Sequence, residues 1–167
     1  VRKAIGNRIP IKIDFNGFHD TKTAIRIIHA MEPLGVQWIE QPARYWDIDS
    51  LARIRAATTV NIVVDESVET PQDMMKIIAH GAADSVHIKP TIKGGLTMAR
   101  KIAAVAEAAG LEIVPGTSAP TGVGMAAAQA FIASSRTLSG GAHGSPLDVL
   151  VDDVVKDPIP PGSTMVK

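Results

Sequence analysis

The chain has 167 residues, 46% of them apolar and 20% charged, with 17 basic and 17 acidic side chains that give a formal net charge of zero. That is enough for one hydrophobic core, and with no basic stripe on a neutral chain no nucleic-acid partner is expected. No apolar run approaches the roughly 18 residues that span a bilayer, so no membrane partner is expected either. Val1 to Pro10 carries charges and no apolar stretch, so no secretory leader is read there, and the cytoplasm is the expected setting.

The chain opens in what reads as the tail of a helix. A first strand candidate follows at residues 11–15, then a helix at 21–34 with Ile25, Ile28 and Met31 as its apolar stripe. The next strand candidate is 36–40, followed by a helix at 49–57 and a strand at 61–65. Thr70-Pro71-Gln72-Asp73 then gives an N-cap hydroxyl, a proline at the first helical position and an acid at the third. Met74, Ile77 and Ile78 form that helix's stripe, and Gly81 suits a left-handed stop. A strand at 85–89 leads through Gly94-Gly95 into a helix at 95–109, with Ile102, Val105 and Ala106 inward and Gly110 closing it. The Gly94-Gly95 turn reads as a tight loop-to-helix turn in preference to the alternative, a phosphate cradle at the helix start. A strand at 111–115, a helix at 122–133 and a weaker strand at 137–141 complete the pattern.

Several strand candidates are too continuously apolar for a half-wet antiparallel strand and read as buried parallel ones. Strand then helix, repeated, gives an α/β fold with a parallel sheet and helices outside it. The spacing is narrow: Asp14 to Glu40 is 26 residues, Glu40 to Asp65 is 25, Asp65 to Lys89 is 24 and Lys89 to Pro115 is 26. A near-constant βα repeat favours a barrel over an open doubly wound sheet, and no G-x-G-x-x-G follows the first strand. A whole barrel has eight strands and about 250 residues. Five or six strands therefore suggest a fragment, with residues 1–156 as a partial barrel and 157–167 as an extended, proline-rich tail.

Four of the strands end in an ionisable residue: Asp14, Glu40, Asp65 and Lys89. The carboxyl ends of parallel barrel strands open on one face, so residues about 25 apart become neighbours. Three carboxylates there repel one another, and with no cysteine in the chain the cation that offsets them is a hard dication such as Mg²⁺ or Mn²⁺. One acid at a strand end is more often a cap or a solvated loop residue. Three in register are harder to explain that way. Lys89 is the candidate general base or acid, while Lys93 on the next loop reads as solvated. Among the histidines, His29 and His80 read as surface or interhelix residues, His143 shows no ligand spacing, and His87, two before Lys89, could meet substrate. Met74, Met75 and Met98 read as core.

Asp14-Phe15-Asn16, Ile39-Glu40-Gln41-Pro42, Val64-Asp65-Glu66-Ser67, and Ile88-Lys89-Pro90 before Gly94-Gly95 together resemble the serial signature of the enolase superfamily, in its mandelate racemase/muconate lactonizing enzyme family. The likeness runs from Val1 to Asp152-Asp153-Val154. It implies a TIM-type (β/α) barrel, here about strands 3 to 8 without the N-terminal α+β capping domain, toward which the tail would return. It implies Asp14, Glu40 and Asp65 as ligands of Mg²⁺ or Mn²⁺, with Asn16 and Glu66 orienting them. It implies Lys89 as an acid/base residue that removes the proton α to a carboxylate, giving an enediolate. His87, Thr117 and Ser118 become candidate substrate contacts.

A lysine at Lys89 and no histidine after 112–115 resemble the muconate lactonizing branch. That branch adds a Lys-x-Lys on a strand that would precede Val1. Lys12 does not replace it and reads as a lower-layer barrel residue. Pro120 stands near the position of the cycloisomerase glutamate, and 139–144 holds no Asp-x-Asp of the dipeptide epimerases. The expectation is racemisation or epimerisation of a small carboxylate by a homo-oligomer. Cycloisomerisation or dehydration, or an inactive metal-binding barrel fragment, are the alternatives.

Overall fold

The computed structural model describes residues 1–135, 147 and 150–157. Helix α1 (Arg2–Ile5) is followed by β1 (Ile11–Asp14), α2 (Thr21–Met31), a 3-10 turn (Glu32–Leu34), β2 (Val36–Glu40), α3 (Ile48–Ala57), β3 (Asn61–Val64), α4 (Pro71–Ala79), β4 (Ser85–Ile88), α5 (Gly95–Ala108), β5 (Glu112–Pro115) and α6 (Gly122–Ser134). The strands hydrogen-bond in chain order. Two compact units divide the chain, Val1–Val86 and His87–Lys167.

In the first unit, β1, β2, β3 and the start of β4 are parallel neighbours. Asp14 lies opposite Glu40, Glu40 opposite Val63, and Val64 opposite Val86. Ile39, Ile62, Val63, Val64 and Val86 are buried, as the uninterrupted apolar runs required. The helices bury one stripe each: Ala24 and Ile28 on α2, Leu51 and Ile54 on α3, Met74 and Ile77 on α4. Full burial of each large aliphatic contributes about 1.5–3 kcal/mol over leaving it exposed.

Local chemistry fixes where these helices begin and end. Asp20 caps α2 by accepting from Thr23 N–H, and Asp47 caps α3 by accepting from Ser50 N–H. The Thr23 N–H holds the Asp20 carboxylate below its usual pKa, and the Ser50 hydroxyl, then the Ser50 N–H, does the same for Asp47. Thr70 and Asp73 form a reciprocal capping box at α4. At its far end, Gly81 takes φ +57° while its N–H and that of Ala82 donate to Ile78 and Ile77 carbonyls, the closure that a left-handed glycine permits.

In the second unit, Gly116 N–H donates to Ile88 O at 2.9 Å, just past the ends of β4 and β5. Helix α5 packs against α6 and β5. Ala99, Ile102, Ala103 and Ala106 of α5, Ile113 and Val114 of β5, and Met125, Ala128 and Phe131 of α6 are buried. A side chain on Gly124 would meet Pro120 Cβ and Thr91 Cγ2 at 2.8 Å, so the small residue lets these segments close up. Gly122 N–H donates to both Asp153 carboxylate oxygens at 2.9 Å, which caps α6 from the far end of the chain.

Several sequence expectations shift. The helix expected over 21–34 tightens to 3-10 geometry at Glu32–Leu34, because Pro33 removes a donor. Met75 is 61% exposed rather than core, since one helical step of 100° turns it away from Met74. Ile25, Met31, Ile78, Met98 and Val105 are half-buried at stripe edges. Lys93 is 4% exposed rather than solvated, drawn in as its N–H and that of Ile92 close a turn on the Lys89 carbonyl. The strand expected at 137–141 and His143 lie outside the described residues, as do the last ten residues of the tail. No helix among the described residues is long and apolar enough to cross a membrane.

Candidate metal centre

The carboxyl ends of β1, β2 and β3 carry the three candidate ligand acids. Asp14 ends β1, Glu40 ends β2, and Asp65 follows β3. The ladders continue past them, with Phe15 N–H donating to Glu40 O at 2.9 Å and Gln41 N–H to Val63 O at 2.8 Å. The three acids therefore sit on neighbouring, hydrogen-bonded strand ends.

Glu40 is 1% and Asp65 2% exposed. A carboxylate oxygen of one lies within 4.8 Å of a carboxylate oxygen of the other. Two full charges at that separation repel by about 3–4 kcal/mol at an effective dielectric of 20. Asp14 is exposed and stands outside that close span. Asn16 holds it, donating from its backbone N–H to Oδ1 and from its side chain to Oδ2, both at 2.9 Å. The same Asn16 amide reaches Glu66 Oε1 at 3.4 Å. Glu66 Oε2 is buried and accepts no hydrogen bond from any described residue. A buried anionic oxygen left in that state is costly, and a cation is one way to satisfy it. Asp14, Glu40 and Asp65 offer carboxylate oxygens, the donor chemistry that suits a hard dication.

The geometry also brings in residues to which sequence reasoning gave no role. Gln41 is fully buried with φ +38°, an uncommon backbone state for a residue with a side chain. Its side chain ties the ends of β2 and β3 together. Oε1 accepts from Asp65 N–H at 3.0 Å and Ser67 N–H at 3.2 Å, and Nε2 donates to Ser67 Oγ at 2.7 Å and Ala43 O at 2.9 Å. This clasp sets the backbone of Asp65 and spends all the hydrogen-bonding capacity of Gln41 in doing so. Its only sequence signal was an amide directly after a strand-end acid. Lys12, two residues before Asp14, pairs with Glu40 Oε2. Gly17 (φ +66°) brings the loop after β1 onto the loop after β2, where a Cβ would meet Ala43 O at 3.0 Å.

In the second unit, His87 is 3% exposed, Lys89 and Thr117 are half-buried, and Ser118 is exposed. The His87 ring lies over Gly116, so closely that a Cβ there would fall 1.6 Å from Nε2. Glycine at 116 is therefore what lets a histidine occupy that buried place on β4.

The enolase C-terminal domain-like family matches residues 1–167. The L-Ala-D/L-Glu epimerase of Bacillus subtilis is 34% identical over 154 residues, 91% of this chain and 42% of the relative. The N-succinyl-L-Arg/Lys racemase of Bacillus cereus is 36% identical over 128 residues, 76% of this chain and 35% of the relative. The crystal structure of 2-chloromuconate cycloisomerase from Rhodococcus opacus 1CP superposes with a TM-score of 0.88 at 33% identity, over 93% of this chain and 43% of that one. The chain spans less than half the length of each of these relatives.

Proposed function

The chain belongs to the enolase superfamily, as an α/β part of a mandelate racemase/muconate lactonizing enzyme barrel, and from that premise we propose that it serves metal-dependent removal of a proton α to a carboxylate. The observation that carries the reading is the pair of buried acids, Glu40 and Asp65, with oxygens within 4.8 Å on strand ends next to Asp14. Asp14, Glu40 and Asp65 hold Mg²⁺ or Mn²⁺ in this reading, while Asn16, Glu66 and the Gln41 clasp keep them in place. When bound, the dication polarises the substrate carboxylate and offsets the charge that develops as the α C–H bond breaks.

Lys89 takes the α proton on Nζ. Its carbonyl, anchored by the N–H groups of Ile92 and Lys93, fixes the backbone from which that amine projects. His87, Thr117 and Ser118 contact the rest of the substrate. The buried faces of β2 and β3 keep water from the metal's protein side, which strengthens every charge interaction there. The net reaction in this reading is racemisation or epimerisation of a small carboxylate, and its relatives include an epimerase and a racemase.

The test is proton exchange in deuterated water across a panel of small chiral carboxylates, with Mg²⁺ or Mn²⁺ added. The reading expects deuterium at the α carbon of at least one substrate, abolished by chelator, by Asp65→Asn and by Lys89→Met. Exchange that survives chelator, or that Lys89→Met leaves intact, refutes it.

A further inference from the structure

Lys12 lies on β1 two residues before Asp14, and its ammonium pairs with Oε2 of Glu40. The Glu40 side chain is 1% exposed and that of Lys12 is 34% exposed. Asp14 ends the same strand, Asp65 follows β3, and Glu66 beside it has a buried oxygen that no described residue satisfies. A carboxylate buried as deeply as Glu40 needs a positive partner to remain ionised, and Lys12 supplies one.

Resting on the metal reading above, we propose that Lys12 is a positioning residue that acts as the cation for Glu40 in the metal-free protein and gives up that oxygen when a dication loads. Ammonium and dication seek the same carboxylate, and as like charges they repel at short range. Whatever free energy the Lys12–Glu40 pair contributes to the empty state is therefore set against metal binding. Two consequences of opposite sign follow. Without the ammonium the empty protein is less stable, and the metal binds more tightly. A merely structural ion pair has one sign only: its loss weakens both states and leaves metal affinity unchanged or lower.

The experiment is Mn²⁺ titration by calorimetry on the chain, with thermal unfolding in chelator and in saturating Mn²⁺. The variants are Lys12→Met, which keeps length and removes charge, Lys12→Arg, which keeps charge, and Asp65→Asn. Lys12→Met is expected to lower the Mn²⁺ Kd by about tenfold, from the lost repulsion between the two cations. It is also expected to lower Tm in chelator and to recover that loss in saturating Mn²⁺, while Lys12→Arg stays near the parent. A Lys12→Met protein unfolded in chelator that folds on adding Mn²⁺ is the same result at its extreme, and one that stays unfolded overturns the proposal. An unchanged or raised Kd in Lys12→Met, with normal Asp65-dependent binding in the parent, overturns the role of Lys12 alone. Absence of saturable, Asp65-dependent binding in the parent removes the metal reading and the role of Lys12 with it.

Discussion

Gly116→Ala is the substitution whose cost the structure specifies most closely. An ideal Cβ there lies 1.6 Å from His87 Nε2, 2.5 Å from Cδ2 and 2.7 Å from Cε1. The ring is 3% exposed, so it cannot swing into solvent without giving up its packing. Overpacking of a filled site costs about 1–3 kcal/mol. Three ring atoms inside contact distance place this case at the upper end, about 3 kcal/mol by that range. For a chain of this size each kcal/mol moves Tm by about 2–4 °C, so the expected fall is about 6–12 °C. The assay is thermal unfolding of the parent, Gly116→Ala, His87→Ala and the double variant as a cycle. Once the ring is gone, the alanine at 116 should cost less than about 0.5 kcal/mol, helped by the lower entropy of its unfolded chain. An equal fall in Tm in both backgrounds would refute the reasoning.

Met74→Ala is expected to cost about 2–5 kcal/mol in urea unfolding, because Met74 is fully buried, whereas Met75→Ala stays within about 0.5 kcal/mol because Met75 is 61% exposed. Similar costs for the two would mean that α4 presents another face. Glu32 accepts from His29 Nδ1 and from the N–H and hydroxyl of Thr59, and these bonds, His29 first, lower its pKa from 4.5 to about 2. The folded value lies below the unfolded one, so this stabilisation is complete above pH 4.5 and is lost as pH falls toward about 2. Glu32→Gln should flatten the stability curve across that window, and acid unfolding with an unaltered slope there would contradict it.

The strand ends were readable because their spacing is a physical repeat. One strand, one loop and one helix take about 25 residues, and Asp14, Glu40 and Asp65 fell at matching points of it. The capping box at Thr70 was readable because N-cap chemistry is local. What stayed hidden depends on partners distant in sequence. The Gln41 clasp reaches 24 and 26 residues away to Asp65 and Ser67, and nothing local distinguishes that amide from a solvated one. Lys12 was placed on the right strand, but its pairing with Glu40 depends on the register of β1 against β2. Lys93 misled for a general reason: charged side chains are seldom buried, and only the turn closed on the Lys89 carbonyl brings this one in. The Asp153 cap on α6 spans 31 residues and likewise left no local trace.

The central claim is that Asp14, Glu40 and Asp65 hold one divalent cation, and calorimetric titration of the chain with Mn²⁺ tests it most directly. The account predicts saturable one-site binding, weakened at least tenfold by Asp65→Asn and by Glu40→Gln, since each removes a charged oxygen ligand. Binding that is absent, or that neither substitution changes, would contradict it.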